Sequence, residues 1–282
     1  MTPLQEAADR MNRAAIGLLK RREIDRIAAK HRPKISAFFR RQRDITLEKF
    51  KGYDFLFTEE YRALCEALTP NEFLTTHDMD RLWSEVDSET FDDLQKTIAG
   101  VESEGVQAGG NQLSKMLSID PSKNPGTTFN LANPRAVAWF QKTGGSTQYI
   151  SGIQATTGES IKRLMTTAID EGWSYGQSAK EIQKLFDGPI SRDRAQRIAV
   201  FESGQAYEAG NRAFADTLSD DGVTMEEHWM TSHDEKVRPE HAANEAEGWV
   251  ELGHVFGSGD TEPPTDPGCR CYMVYQAASQ RG

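Results

Sequence analysis

With 282 residues the chain is long enough to bury a hydrophobic core unaided, and its three cysteines, Cys65, Cys269 and Cys271, are too few and too badly spaced for a disulfide framework. Hydrophobic residues make up 37% and charged residues 27%, a polar balance that suits a helix-rich protein with much surface better than a compact α/β enzyme. The net charge of −10 is uneven, because residues 1 to 51 hold 14 Lys and Arg against 6 Asp and Glu, leaving −18 for the rest, so the two ends suit different partners. No run of eighteen apolar residues occurs, and MTPLQEAADRMNRAA lacks the apolar stretch of a signal peptide. A chain made and kept in a cytoplasm, without a membrane partner, is the expectation.

From Leu4 to about Phe50 the sequence reads as helix, with Ile16, Leu19, Ile24, Ile27, Ile35, Phe38, Phe39, Ile45 and Phe50 loosely at helical spacing. Pro33 is expected to end or kink the first helix near Lys30. Helical character continues in TEEYRALCEAL and SEVDSETFDDLQKTIAGVESEGVQAGGNQLSKML, with Thr58 and Ser84 as N-cap candidates. Residues 119 to 134, IDPSKNPGTTFNLANP, concentrate Pro, Gly, Asn and Thr and mark the expected linker.

A second helical block follows: RAVAWFQK, a Gly-Gly turn, GESIKRLMTTAIDEGWS, SAKEIQKLF and DRAQRIAVFESGQAYEAGNRAFADTL. Ile161, Leu164, Met165, Ala168 and Ile169 follow i, i+3, i+4, i+7, i+8, an amphipathic helix that Gly172 should end as a C′ residue. After Ser219 the texture changes. EEHWMTS, GWVEL and CRCYMVY read as strands of a small sheet, and VRPEHAANEAEG as a short helix with Pro239 in its first turn. The fold class expected is α+β, mostly α, with a helical region over 1–118, a linker over 119–134 and an α+β domain over 135–282.

The chemistry concentrates in TSHDEKVRPEHAANEAEGW, which packs Thr231, His233, Asp234, Arg238, His241, Asn244 and Glu245 together. His241, Asp234, Cys269 and Cys271 are zinc-ligand types, but a Cys-x-Cys pair in a strand points its thiols to opposite faces. That spacing argues against a shared ion unless a bulge intervenes. A metal-assisted hydrolase built on His241, Asp234 and Cys269 is the alternative from the enzyme class. A cysteine nucleophile lacks an elbow, a Gly-rich oxyanion loop or an adjoining helix N-terminus. The reading favoured is a polar network in which Asp234 caps its own turn, Arg238 grips a carboxylate among Asp234, Glu202 and Asp266, and His241 closes the set.

On the preceding helix Arg197 and Glu202 point about 140° apart and cannot pair with each other. Arg197 is expected in solvent and Glu202 on the C-terminal sheet, since a catalytic Glu202 would need a paired acid. The N-terminal arginines Arg21, Arg22, Arg40, Arg41 and Arg43 sit among Glu23, Asp25 and Asp44 without a groove-reading motif. Any contact with double-stranded DNA there would be phosphate-driven and non-specific.

Three blocks carry a family resemblance. They are ISGIQATTGESIKRLMTTAIDEGWSYGQSAKEIQKLF, RAQRIAVFESGQAYEAGNRAF, and HWMTSHDEKVRPEHAANEAEGWV with DPGCRCYMVY. In this order, over residues 135 to 275, they resemble the phage Mu F-like minor head, or head morphogenesis, proteins. Arg197, Glu202 and Asn211 match the family's helix, while Phe201 stands where Thr is commoner; Asp234, Arg238, His241 and the Cys-Arg-Cys segment match its end. The resemblance implies a virion structural protein, added at low copy inside the procapsid in association with portal, capsid or scaffold protein, and involved in assembly or DNA delivery. It implies no catalysis and no cofactor, although a DNA-packaging or ejection factor acting through the basic helices is a further alternative. Some relatives carry a toxin after the Cys-Arg-Cys segment; only eleven residues follow Cys271, so none is expected here.

Overall fold

The computed structural model describes residues 3–59, 79–117, 129–142 and 147–278. In chain order the elements are α1 (Pro3–Phe50), a 3-10 helix (Lys51–Phe57), α2 (Met79–Met116), α3 (Pro134–Lys142), α4 (Thr147–Asp170), α5 (Tyr175–Asp187), α6 (Pro189–Asp220), β1 (Met225–Met230), α7 (Pro239–Ala246), β2 (Val250–Glu251) and β3 (Tyr272–Ala277). The mostly helical α+β class is therefore observed, with one antiparallel sheet ordered β2-β1-β3 among the described residues. Cys65, most of TEEYRALCEAL, the Gly-Gly turn and most of the expected linker fall outside those residues.

Two expectations about helix ends are corrected. Pro33 neither ends α1 nor starts a new helix; it lies inside a continuous 48-residue element. Proline removes the hydrogen bond to the carbonyl four residues earlier, here Ala29. Both Ala29 and Pro33 are exposed, on the solvent side of the helix, while Ile27, Ala28, His31, Ile35, Phe38 and Phe39 are buried on either side. Burial of that stripe outweighs the local penalty. Ser84 is likewise interior, because α2 already begins at Met79.

Other ends follow local chemistry. Gly172, at φ 68°, closes α4 through Trp173 N–H to Ala168 C=O (2.9 Å) and Gly172 N–H to Ile169 C=O (3.2 Å), the two bonds of a Schellman motif. Ser174 then caps α5 by accepting from the Gln177 N–H at 3.2 Å, and Ser178, Ile182 and Phe186 form its buried face. Pro239 opens α7, whose buried side carries His241 and Asn244.

The chain divides into two compact units that interleave in sequence. One comprises Met1–His31, Ala99–Lys142 and Gln196–Gly282; the other comprises Arg32–Ile98 and Thr143–Ala195. The second unit has its own core of Phe50, Met79, Leu82, Val86, Ile161, Met165, Ile182 and Phe186, with Phe50 stacked on Tyr175 at 5.2 Å. Salt bridges lace its surface: Arg41 to Asp93, Arg43 to Asp44 and Asp187, and Lys49 to Glu85 and Glu89.

In the first unit the sheet packs on α6. Met225, Trp229, Met273 and Tyr275 join Ala206, Ala213 and Phe214 with Val106 and Leu113 of α2 and Phe129. The register Met225↔Ala277 through Met230↔Tyr272 places β3 along the whole of β1. The helices α2 and α6 approach at small residues: a Cβ on Gly109 would lie 1.9 Å from the Tyr207 carbonyl oxygen, and one on Gly210 2.0 Å from that of Val106. Lys20 of α1 is buried in the same unit, its Nζ donating to Glu208 Oε1 and Oε2 (3.1 and 2.9 Å) and to the Met273 carbonyl (2.6 Å). No helix of the described residues is long and apolar enough to cross a membrane.

Candidate functional site

The polar stretch after β1 folds as a turn, a short helix and a loop that wire themselves together. His233 leaves the strand at φ 52°, a left-handed conformation that His tolerates better than most residues, and its N–H points to Thr231 Oγ1 at 3.4 Å. The Asp234 carboxylate accepts from the Lys236 N–H at 3.0 Å, the expected Asx turn. On its other side Asp234 accepts from Arg270 at 2.6 Å, and that bond, then the Lys236 N–H, holds its pKa below the ordinary value. Arg238 takes Asp266, of the three carboxylates considered, with both its terminal nitrogens at 2.5 Å. Burial raises the Asp266 pKa, but the bonds from Arg238 and Thr265 leave it lowered.

From α7, Glu245 accepts from Thr231 Oγ1 (2.6 Å) and pairs with His233 (3.1 Å), and Asn244 exchanges bonds with Ser258, donating to its Oγ at 2.8 Å and accepting from its N–H at 3.1 Å. The helix is thus stitched to the end of β1 and to the loop before β3.

His241 is buried against Trp229, ring centroids 5.2 Å apart, and its Nδ1 lies 3.5 Å from Cys271 Sγ and 3.7 Å from Cys269 Sγ. Its Nε2 is 3.4 Å from Thr265 Oγ1, and that hydroxyl donates to Asp266 Oδ2 at 3.1 Å. The objection drawn from Cys-x-Cys spacing is corrected here. Gly268 (φ 100°) and the Cys269 N–H to Asp266 C=O bond turn the chain, and β3 starts only at Tyr272, so Cys269 and Cys271 lie outside the strand and face one imidazole. Ligand atoms of His241, Cys269 and Cys271 all lie within 4.8 Å of one another. Asp234 is not in this set; Arg270 holds it, and the grouping of His241, Asp234 and Cys269 as a hydrolase centre is not assembled. The hydrogen bond between the two sulfurs holds the Cys269 thiol below its ordinary value and raises that of Cys271. Beside the cysteines lies a cleft of about 520 Å³ bounded by α1, α6 and the segment from Pro264 to Tyr272, and on their other side a cavity of about 30 Å³ under Ser232, Arg238 and Gly268.

Residues 159–274 match the family model described as Phage Mu protein F like protein. This segment of the chain is similar to that family. The match begins within α4 and ends in β3, and covers 116 of 282 residues. Searches of curated proteins and of solved structures returned no match.

Within the Mu F-like segment the remaining marker residues are separated from this cluster. Arg197 is exposed, as expected, and Asn211 is fully buried, donating to the Tyr207 carbonyl at 3.0 Å. Glu202 is not bound to the sheet; it is buried beside Glu102 of α2, a second carboxylate that lies ahead of the matched segment. Burial, and then the Glu102 charge, raise the Glu202 pKa to about 8. A carboxyl whose folded pKa exceeds its ordinary 4.5 binds a proton on folding, so its contribution is fully present below about pH 4.5 and is lost as pH rises through about 8. Glu202→Gln should therefore flatten the fall in stability between pH 5 and 8, by up to roughly 3 to 4 kcal/mol at about 1.36 kcal/mol per pH unit, in denaturant melts across that range. An unchanged pH slope would refute this.

Among the N-terminal arginines, Arg41 and Arg43 are tied to acids and Arg21 lies 3.5 Å from Asp25. Arg22 and Arg40 are exposed, with no ion pair among the described residues. The sequence reading missed Lys20, Glu102, Glu208, Thr265 and Arg270. For Lys20 a signal existed, since it continues the buried spacing of Ile24, Ile27 and His31.

Proposed function

We propose that the chain is a minor capsid protein of a tailed bacteriophage or prophage, acting by binding in procapsid assembly, portal association or DNA delivery, inside the virion. The observation that carries this reading is the Mu F-like match over residues 159–274, which takes in the wired turn, α7, β1, β2 and the first half of β3. The polar residues of that region support it, because Asp234, Arg238, Glu245 and Asn244 are engaged by Arg270, Asp266, Thr231 and Ser258 rather than aimed at a substrate. A non-specific DNA contact through α1 is less favoured, since two of the five arginines are engaged by Asp93 and Asp187. Arms of this kind suit a portal, capsid or scaffold protein.

Quantitative mass spectrometry of procapsids and mature virions from the encoding phage tests the reading. The chain should be present in purified procapsids at low copy relative to the capsid protein and cross-link to the portal protein. Its absence from both particles would sink the proposal.

A further inference from the structure

We infer that His241 Nδ1, Cys269 Sγ and Cys271 Sγ bind one Zn²⁺ ion per chain, with a water molecule as the fourth ligand. The geometry is the first support. With Zn–S near 2.3 Å and Zn–N near 2.05 Å, a tetrahedral angle places nitrogen and sulfur about 3.5 Å apart. The two separations here are 3.5 and 3.7 Å. An S–H···N hydrogen bond has a similar length, but the one lone pair of Nδ1 can accept only one such bond, and both sulfurs face it.

The second support is the orientation of the imidazole. Thr265 spends its hydroxyl proton on Asp266, so its lone pair faces Nε2 and that nitrogen carries the ring proton. Nδ1 is then the nitrogen with a free lone pair, and it is the one directed at both sulfurs. Asp266 is itself fixed by Arg238, giving a chain from guanidinium to carboxylate to hydroxyl to imidazole, the outer-shell support that metal-bound histidines use. The third support is Trp229, which packs on His241 with ring centroids 5.2 Å apart and whose buried indole N–H has no hydrogen-bond partner among the described residues. A metal-bound thiolate is a stronger acceptor for it than a thiol.

Imidazole with two thiolates is a borderline-soft donor set that suits zinc rather than calcium or magnesium. Among the described residues no fourth His, Cys, Asp or Glu atom joins the cluster. The adjoining cavity of about 30 Å³ has room for one water, which completes the tetrahedron. Binding displaces the remaining thiol protons to solvent and ties α7 to the segment that leads into β3, so the ion closes the sheet where few apolar residues do.

Cobalt substitution tests this on the full-length chain, stripped with chelator and kept reduced. One equivalent of Co²⁺ should give a thiolate-to-cobalt charge-transfer band and the strong visible absorption of a tetrahedral site, and one equivalent of Zn²⁺ should erase both. Cys269→Ser and Cys271→Ser should each diminish the charge-transfer band, and the double variant abolish it, while Cys65→Ser keeps it. Thr265→Val should retain the band but weaken zinc about tenfold. If a cysteine variant does not fold by circular dichroism, the wild-type and Cys65→Ser spectra decide alone. No band in the wild-type chain, a band that survives the double variant, or one lost in Cys65→Ser would overturn the assignment.

Discussion

Lys20→Met is expected to destabilise the protein by about 3 to 5 kcal/mol, the usual cost of removing one partner from a buried ion pair. Both members are only 2% exposed, and Lys20 Nζ makes all three of its bonds to Glu208 and the Met273 carbonyl. Burial draws the Lys20 pKa down and the Glu208 pKa up, each partly offset by the other's charge. Without the ammonium, Glu208 is left charged between Tyr207 and the sheet or takes up a proton. The variant should therefore lose more stability at pH 8 than at pH 5, since protonation at low pH removes the stranded charge. Lys20→Met with Glu208→Leu should recover most of the loss, because an apolar pair of similar volume replaces the ion pair without a buried charge. Denaturant melts of the single and double variants measure both. A single variant within 1 kcal/mol of wild type, or a double variant no better than the single, would show that the pair does not fasten α1 to this unit.

Gly109→Ala should cost about 3 kcal/mol or prevent folding, against the roughly 1 kcal/mol that alanine normally gains over glycine inside a helix. The added Cβ would meet the Tyr207 carbonyl oxygen at 1.9 Å, and backbone cannot rotate away as a side chain does. Gly210 across the contact meets the Val106 carbonyl at 2.0 Å, and Gly105 meets Ala206 Cβ at 2.6 Å, so the approach of α2 to α6 depends on glycine on both helices. Gly152→Ala in α4, where none of the described residues lies within 4 Å, is the control and should stabilise by about 0.5 to 1 kcal/mol. Thermal melts of the two variants should move in opposite directions. Equal shifts would mean that propensity, not close approach, sets the glycine requirement.

Local chemistry was largely legible. The stripe of Ile161, Met165 and Ala168, the left-handed Gly172, Pro239 at the head of α7 and the Asp234 turn each depend on residues within a few positions of one another, and each stands where its residues place it. Pro33 and Ser84 show the limit of that logic. Their preferences amount to a few kcal/mol at most, and burial of Ile27, Phe38, Leu82 and Val86 along the same helices overrides them.

The sequence by itself determined the helical class, the small final sheet and the family marker residues, because helix period, strand alternation and turn chemistry are short-range properties of the chain. Only the tertiary structure decided which polar groups meet. Lys20 and Glu208 are 188 positions apart, Glu102 and Glu202 one hundred, and His241 about thirty from the cysteines it faces. Cys-Arg-Cys reads as alternating faces if it is a strand and as a two-thiol claw if it precedes one. The turn at Gly268 and the start of β3 at Tyr272 settled that choice, through packing that no local pattern encodes.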